Sequence, residues 1–198
     1  MYLSRLKINE GRIAQGWLSN PYRIHQRLKI ACSGDPRMLF RLEEGGASGC
    51  ILVQTHNLPD WAAAFNEFPV LAGLPEVKEF HPLPGVGQRY AFRLAANPTV
   101  KRDGRRVGLL RQDEQQAWLE RHLADAGAEL LRLQIQPYRV QRSGKGEEKG
   151  QAGQVHLVVT FEGLLLCRDA PRLGAALAAG VGPAKGYGCG LLSLARTG

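Results

Sequence analysis

The segment Asn20-Pro21-Tyr22-Arg23-Ile24-His25-Gln26-Arg27-Leu28-Lys29 carries the residue types best suited to chemistry in this chain. Tyr22 and His25 are three positions apart, which puts both side chains on one face of a helix. Asn20 followed by Pro21 is a helix start: an amide to cap the first N–H groups, then a ring preset for the first helical position. Both residues therefore fall in the opening turns, where unpaired N–H groups and the positive dipole end favour an anion. Arg23, Arg27 and Lys29 add positive charge, and no Asp or Glu occurs between Arg12 and Ser33. A phosphate is welcome in such surroundings.

That setting suits cleavage of a phosphodiester by an adjacent 2′-hydroxyl. One group takes the hydroxyl proton, another protonates the departing 5′-oxygen, and a cation stabilises the crowded phosphorane. Histidine is the usual proton carrier near neutral pH. A helix start lowers its pKa and a bound phosphate raises it, so spacing alone leaves the direction open. Tyrosine, with an ordinary pKa of about 10, orients the 2′-hydroxyl or acts as base only beside an activating cation. The competing reading makes Tyr22 and His25 ordinary packing or surface residues.

A second segment, Gly180-Val-Gly182-Pro-Ala-Lys185-Gly186-Tyr-Gly-Cys-Gly190, holds five glycines and a lysine in eleven residues. Backbone of this kind can cradle phosphate oxygens around Gly182, Lys185 and Gly186. It equally makes a tight turn that lets a helix approach a sheet. It matches neither G-x-x-x-x-G-K-[ST] nor G-x-G-x-x-G, so nucleotide-binding loops of those kinds are excluded.

The remaining composition narrows the setting. The chain has 198 residues, with 26 Lys and Arg against 18 Asp and Glu, a net charge of +8 that favours a polyanionic partner. Cys32, Cys50, Cys167 and Cys189 are scattered without a C-x-x-C pair, and the five histidines form no ligand grouping, so no metal site and no cofactor is expected. The N-terminus lacks the apolar core of a signal peptide, and no run reaches the roughly 18 apolar residues of a membrane span. The expectation is a cytoplasmic protein with reduced, mostly buried thiols.

The elements that must position these residues read as strands and helices in alternation. Strand patterns surround Leu6 and Ile8, Ile51-Leu52-Val53, Tyr90/Phe92/Leu94, Leu131/Leu133/Ile135 and Leu157/Val159/Phe161. Helices are predicted after Asn20-Pro21 and after Pro59-Asp60, along Trp118, Leu119, His122, Leu123 and Ala126 up to Gly127, and from Asp169-Ala-Pro171 to Gly180. The order suits an α+β fold of two tandem ferredoxin-like (RRM-like) βαββαβ domains, at residues 1–95 and 96–198. Two loops stand out by charge. Asn97–Arg111 carries Lys101, Arg102, Arg105, Arg106 and Arg111 against Asp103 alone. Arg139 to Gly153 is glycine-rich, with Arg139, Arg142 and Lys145, and reads either as a long β-hairpin able to enter a nucleic-acid groove or as a solvated loop.

These segments resemble the CasE family, the CRISPR RNA-processing endoribonucleases of the type I-E system. The resemblance spans the chain through Asn20-Pro-Tyr22-x-x-His25, Ile51-Leu-Val-Gln-Thr with Pro59-Asp-Trp61, and Phe92-Arg-Leu-x-Ala-Asn97-Pro. It continues through Arg105-Arg-Val, Phe161-Glu-Gly163 and the glycine-rich ending up to Ser193, which is its most specific piece. It implies recognition of the stem-loop of CRISPR repeat RNA and metal-independent cleavage at the 3′ base of the stem, leaving a 2′,3′-cyclic phosphate or its opened form. It also implies retention on the product as a subunit of Cascade, with no contact to a membrane or, by this chain alone, to DNA. Tyr22 and His25 match the family's catalytic pair, Ser33 matches a serine of the same site, and Arg142 falls on the groove-entering hairpin between Arg139 and Lys145. Where some relatives have a catalytic-site lysine, this chain has Ile30, with Lys29 one position earlier. One position turns a helix by about 100°, which raises the question whether Lys29, Arg23 or Arg27 supplies the cation.

Two rivals predict different behaviour. A non-catalytic RNA hairpin-binding subunit would hold the stem without cutting it. A purely structural subunit would present Trp61, Phe65 and the basic stretch to protein, and bind RNA negligibly.

Overall fold

The computed structural model describes residues 1–43, 49–143 and 154–197, which divide into two compact units. The first holds Met1–His81 together with Arg142, Ser143, Gln154 and Gly186–Gly188. The second holds Pro82–Gln141, Val155–Lys185 and the chain from Cys189 onward.

In the first unit, strand β1 (Tyr2–Lys7) buries Ser4 and Leu6 while Arg5 and Lys7 face out, the two-residue period of a half-buried strand. Helices α1 (Arg12–Leu18) and α2 (Pro21–Ala31) follow, then β2 (Leu39–Glu43), β3 (Cys50–Thr55), α3 (Trp61–Phe65) and β4 (Glu76–Glu79). The strands pair antiparallel in the order β2-β3-β1-β4, which is a ferredoxin-like sheet. Helix α2 begins as predicted. The Asn20 side chain accepts from the Tyr22 and Arg23 amides at 3.1 and 3.4 Å, and Pro21 opens the helix. Such a cap contributes about 1 kcal/mol. The helix is held by Ile24 and Leu28, both fully buried against Leu6, Phe40, Ile51 and Val53. Each contributes about 1.5–3 kcal/mol by leaving water. Trp61 and Phe65 belong to this same core, 7% exposed each, so they cannot form the protein-facing surface of the structural-subunit reading.

The second unit repeats the topology. Strand β5 (Arg89–Ala96) leads through a hairpin, β6 (Thr99–Arg102) and β7 (Arg105–Gly108), into α4 (Gln112–Asp125). Then come β8 (Ala128–Ile135), β9 (Arg139–Ser143), β10 (Gln154–Cys167), α5 (Ala170–Ala179) and, after a 3-10 turn at Lys185–Tyr187, β11 (Leu192–Arg196). The sheet order is β11-β5-β10-β8, again antiparallel, with β9 pairing on β10. Its core gathers Phe92, Leu94, Trp118, Leu119, Phe161 and Leu173.

Three details differ from the sequence reading. A boundary at residue 95 would leave β5 in the first unit; its backbone instead pairs with β10 and β11, which makes it the first strand of the second. The alternation Leu131/Leu133/Ile135 is interrupted by a register shift opposite Leu164/Leu165. Leu130 is turned toward the core and Leu131 is left 42% exposed, because a bulged residue has no partner across the ladder. A Cβ at Gly163 would lie 1.9 Å from the Arg132 carbonyl oxygen, so only glycine fits beside the bulge. Third, Asn97–Arg111 is structured: Asp103 and Gly104 both have positive φ, 48° and 77°, the two-residue turn that joins antiparallel strands without splaying them. Among the described residues no helix is long and apolar enough to cross a membrane.

Candidate active site

Helix α2 presents three faces, because each residue advances about 100°. Pro21, Ile24, Leu28 and Ala31 form the buried one. Tyr22, His25 and Lys29 share a second, and Arg23, Gln26, Arg27 and Ile30 share a third. Sequence spacing thus puts Lys29, not its neighbour Ile30, one turn along from His25.

His25 is half-buried. Its ring stacks on Phe40 with 6.2 Å between centroids and 23° between planes. Nδ1 is buried and has no hydrogen-bond partner, while the ring's other nitrogen lies toward Gly186. A Cβ at Gly186 would stand 3.6 Å from Nε2. Glycine is compatible with the backbone at ordinary φ here, so its value is access: any longer side chain would extend over the imidazole. Gly188 has a different reason. Its φ is 83°, and a Cβ would come within 3.2 Å of Phe40, the ring on which His25 rests.

Burial lowers the His25 pKa, and the Lys29 ammonium lowers it further. The imidazole of the free protein is therefore neutral at pH 7. Tyr22, half-buried beside it in sequence, accepts a hydrogen bond on its hydroxyl from the Gln26 amide nitrogen at 3.1 Å. That leaves the phenolic proton to be donated elsewhere. Ser33 is exposed just beyond the helix cap Cys32. The thiols are unsuited to attack: burial, with Asp35 adding to it, pushes Cys32 up to about 12, and burial pushes Cys189 up to about 12. All four cysteines are unpaired.

The structure separates the other predicted residues into groups. Arg23 and Arg27 are on the third face of α2, away from the His25 side. Arg27 is engaged there, with its guanidinium carbon 4.4 Å from the Phe68 ring centroid and Nη1 donating to the Ala64 carbonyl at 3.2 Å. Lys101 pairs across the β6–β7 hairpin with Arg106, and Arg102 with Arg105, all four exposed. Arg102 also meets Glu114 at 3.6 Å. Arg139 and Arg142 are exposed on β9, and Lys145 lies outside the described residues. Lys185 Nζ donates to the Gly182 carbonyl at 2.6 Å, and a Cβ at Gly182, whose φ is 76°, would meet the Trp118 ring at 2.8 Å. These two residues brace the loop within the second unit, whereas Gly186 belongs beside His25. Gln26 and Phe40 escaped the sequence reading. Gln26 was detectable as the i+4 neighbour of Tyr22; nothing in the sequence marks Phe40 as the support of His25.

The family model for CRISPR associated protein matches residues 1–196. The chain is 40% identical over 214 residues to the CRISPR-associated endoribonuclease Cse3 of Thermus thermophilus, covering 98% of this chain and all of that one. It is 32% identical over 216 residues to the CRISPR system Cascade subunit CasE of Escherichia coli K12, covering 98% and 99%. The structure of Thermus thermophilus Cse3 bound to an RNA representing a pre-cleavage complex superposes with a TM-score of 0.87 at 36% identity, covering 98% of each chain. On a match of this extent, in sequence and in fold, the chain belongs to the CRISPR associated protein family, alongside Cse3 and CasE.

Proposed function

We propose that this protein is a metal-independent endoribonuclease of the cytoplasm that binds the stem-loop of CRISPR repeat RNA. It cuts the precursor transcript at the 3′ base of the stem and stays on the product as a Cascade subunit. The observation that carries this reading is the single helix face holding Tyr22, a neutral His25 and Lys29, with Nε2 left open under Gly186. The relatives' names, an endoribonuclease and a Cascade subunit, support it.

The reaction needs a 2′-hydroxyl of the RNA as nucleophile. His25, unprotonated, accepts that proton as the 2′-oxygen bonds to phosphorus. The bond to the 5′-oxygen breaks, and the Tyr22 hydroxyl, its lone pair already committed to Gln26, delivers a proton to the departing oxygen. The products are a 2′,3′-cyclic phosphate and a 5′-hydroxyl. Lys29 supplies positive charge to the phosphorane. Ser33 lies at the far end of the same helix as a further polar group. Arg139, Arg142 and Lys145, with the cations of the β6–β7 hairpin, bind the phosphates of the stem, and binding weakens steeply as salt rises.

The test is incubation of repeat RNA with the protein in excess EDTA. Cutting persists, and stops when the nucleotide before the cut lacks its 2′-hydroxyl. Tight binding of the unmodified RNA without cutting would instead favour a hairpin-holding subunit.

A further inference from the structure

Apart from Gln26, which bonds to Tyr22, the third face of α2 is not used by this chemistry, and it borders a cleft of about 480 Å³ between α1, α2 and Phe68. Trp17 and Phe68, packed edge to face at 5.7 Å, form its floor. Ile13 and Ile30 line it with 71% and 48% of their surface exposed. A single exposed isoleucine is unremarkable; two lining one depression over aromatic rings make a contiguous apolar patch. Gly16 also lines the cleft, with nothing within 4 Å of where its Cβ would be. A glycine inside a helix is unfavourable relative to alanine, and here it opens the α1 backbone to close approach.

The rim identifies the occupant. Arg12 and Arg23 border the cleft, no lining residue is acidic, and among the described residues neither guanidinium meets a carboxylate. A partner must bring apolar side chains for the walls and carboxylates for the rim, where arginine binds them bidentately. A nucleic-acid strand fits poorly. Bases stack on open aromatic faces. Here the Phe68 face is occupied by Arg27 and Trp17 is 5% exposed, which leaves aliphatic walls.

We propose that this cleft docks an acidic, amphipathic segment of another subunit, inserting apolar side chains between Ile13 and Ile30 while its carboxylates pair with Arg12 and Arg23. Helix α2 then serves two partners from two faces, RNA at Tyr22 and His25 and protein at Ile30. The assembly concerned is the RNA-guided complex of the proposed function, on which this inference rests.

The experiment reconstitutes that complex from its other purified subunits and repeat RNA, adding wild-type chain, the double variant Ile13→Glu/Ile30→Glu, or Arg12→Glu. The isolated chains are assayed for stem-loop cleavage in parallel. The double variant enters the complex about tenfold less well or worse, Arg12→Glu is weakened less, and both cut isolated RNA within about twofold of wild type. Incorporation equal to wild type overturns the docking site. So does a matching loss of RNA affinity and cleavage by Arg12→Glu, which would assign the cleft to RNA. Failure of wild-type chain to enter the complex overturns the assembly reading itself, and the docking site with it. Should the double variant fail to cut because it misfolds, Arg12→Glu, altered only at an exposed side chain, decides.

Discussion

The two units share one sheet order yet begin their histidine-bearing helices in opposite ways. Helix α2 has no acid in its first turn and is capped by a neutral amide, so its positive end is available to an anion. Helix α4 places Asp113 and Glu114 in its first turn, with Arg111 bonded to Asp113 at 2.8 Å, so its end is already compensated. Each helix carries a histidine. His122 lies on Trp118 with 3.9 Å between ring centroids, and its Nδ1 donates to the Trp118 carbonyl at 2.8 Å. His25 has no such bond on Nδ1 and faces a glycine. Duplicate topology therefore says little about duplicate chemistry. What sets the residue proposed for catalysis apart is an unspent hydrogen-bonding capacity beside an uncompensated helix end.

The sharpest attack on that contrast exchanges the two histidines' fates. His25→Ala lowers the cleavage rate by about 10²–10⁴-fold, the usual range for a positioned proton carrier, while stem-loop affinity stays within about threefold. His122→Ala leaves the cleavage rate intact and costs stability instead. Single-turnover kinetics with a binding titration measure both, and loss of affinity as large as the loss of rate in His25→Ala would move that residue to binding or folding. Next in size is Trp118→Ala. The ring is 3% exposed, stacked on Phe161 and seated over Gly182, so its loss destabilises the protein by about 3–5 kcal/mol in denaturant titration. Arg142→Ala, at an exposed cation on β9, weakens stem-loop binding by about tenfold or less and lowers the salt slope by about one phosphate contact. Unchanged affinity and slope would remove β9 from the interface.

The fold was largely legible because its signals are local. Asn20-Pro21, Pro59-Asp60 and Asp169-Ala-Pro171 start helices where the structure starts them, and all three caps accept backbone N–H bonds. Gly127 and Gly180 end helices with positive φ. The face shared by Tyr22 and His25 was equally legible, since helical spacing fixes it. Contacts that depend on distant strands were not. Phe40 comes under His25 from β2, and Gly186 reaches it from the far end of the chain. The Leu130/Leu131 exchange was hidden because a bulge breaks the very alternation used to read strands. The assignment of Arg23 and Arg27 to RNA rests on charge near His25 in sequence; helical spacing puts both on the neighbouring face, where Phe68 and Ala64 engage Arg27.

A smaller effect probes the electrostatics of the same face. With the His25 pKa held below the ordinary imidazole value, the acid limb of kcat/KM against pH falls below that value if, as proposed, the neutral form is the base. Lys29→Ala removes one of the two lowering influences, so the limb moves to higher pH; burial keeps it from returning fully. A limb that stays in place would detach Lys29 from His25. The same sign governs stability. The folded state binds the His25 proton less readily than the unfolded chain does, so this contribution is complete above the unfolded pKa and lost as pH falls through the folded one.

The finest distinction concerns Gln26, which belongs to neither histidine yet touches the site through Tyr22. Its amide donates to the phenolic oxygen at 3.1 Å, and one net hydrogen bond contributes about 0.5–1.5 kcal/mol, so Gln26→Ala slows cleavage by roughly two- to tenfold. The loss appears in kcat, because the bond orients a proton donor and does not hold RNA. Gln26→Glu separates orientation from packing. A carboxylate at that position accepts a hydrogen bond and cannot donate, so the tyrosine turns its proton inward and the rate falls further than with alanine. A rise in KM with unchanged kcat in both variants would instead place Gln26 at the RNA surface and leave Tyr22 without its orienting partner.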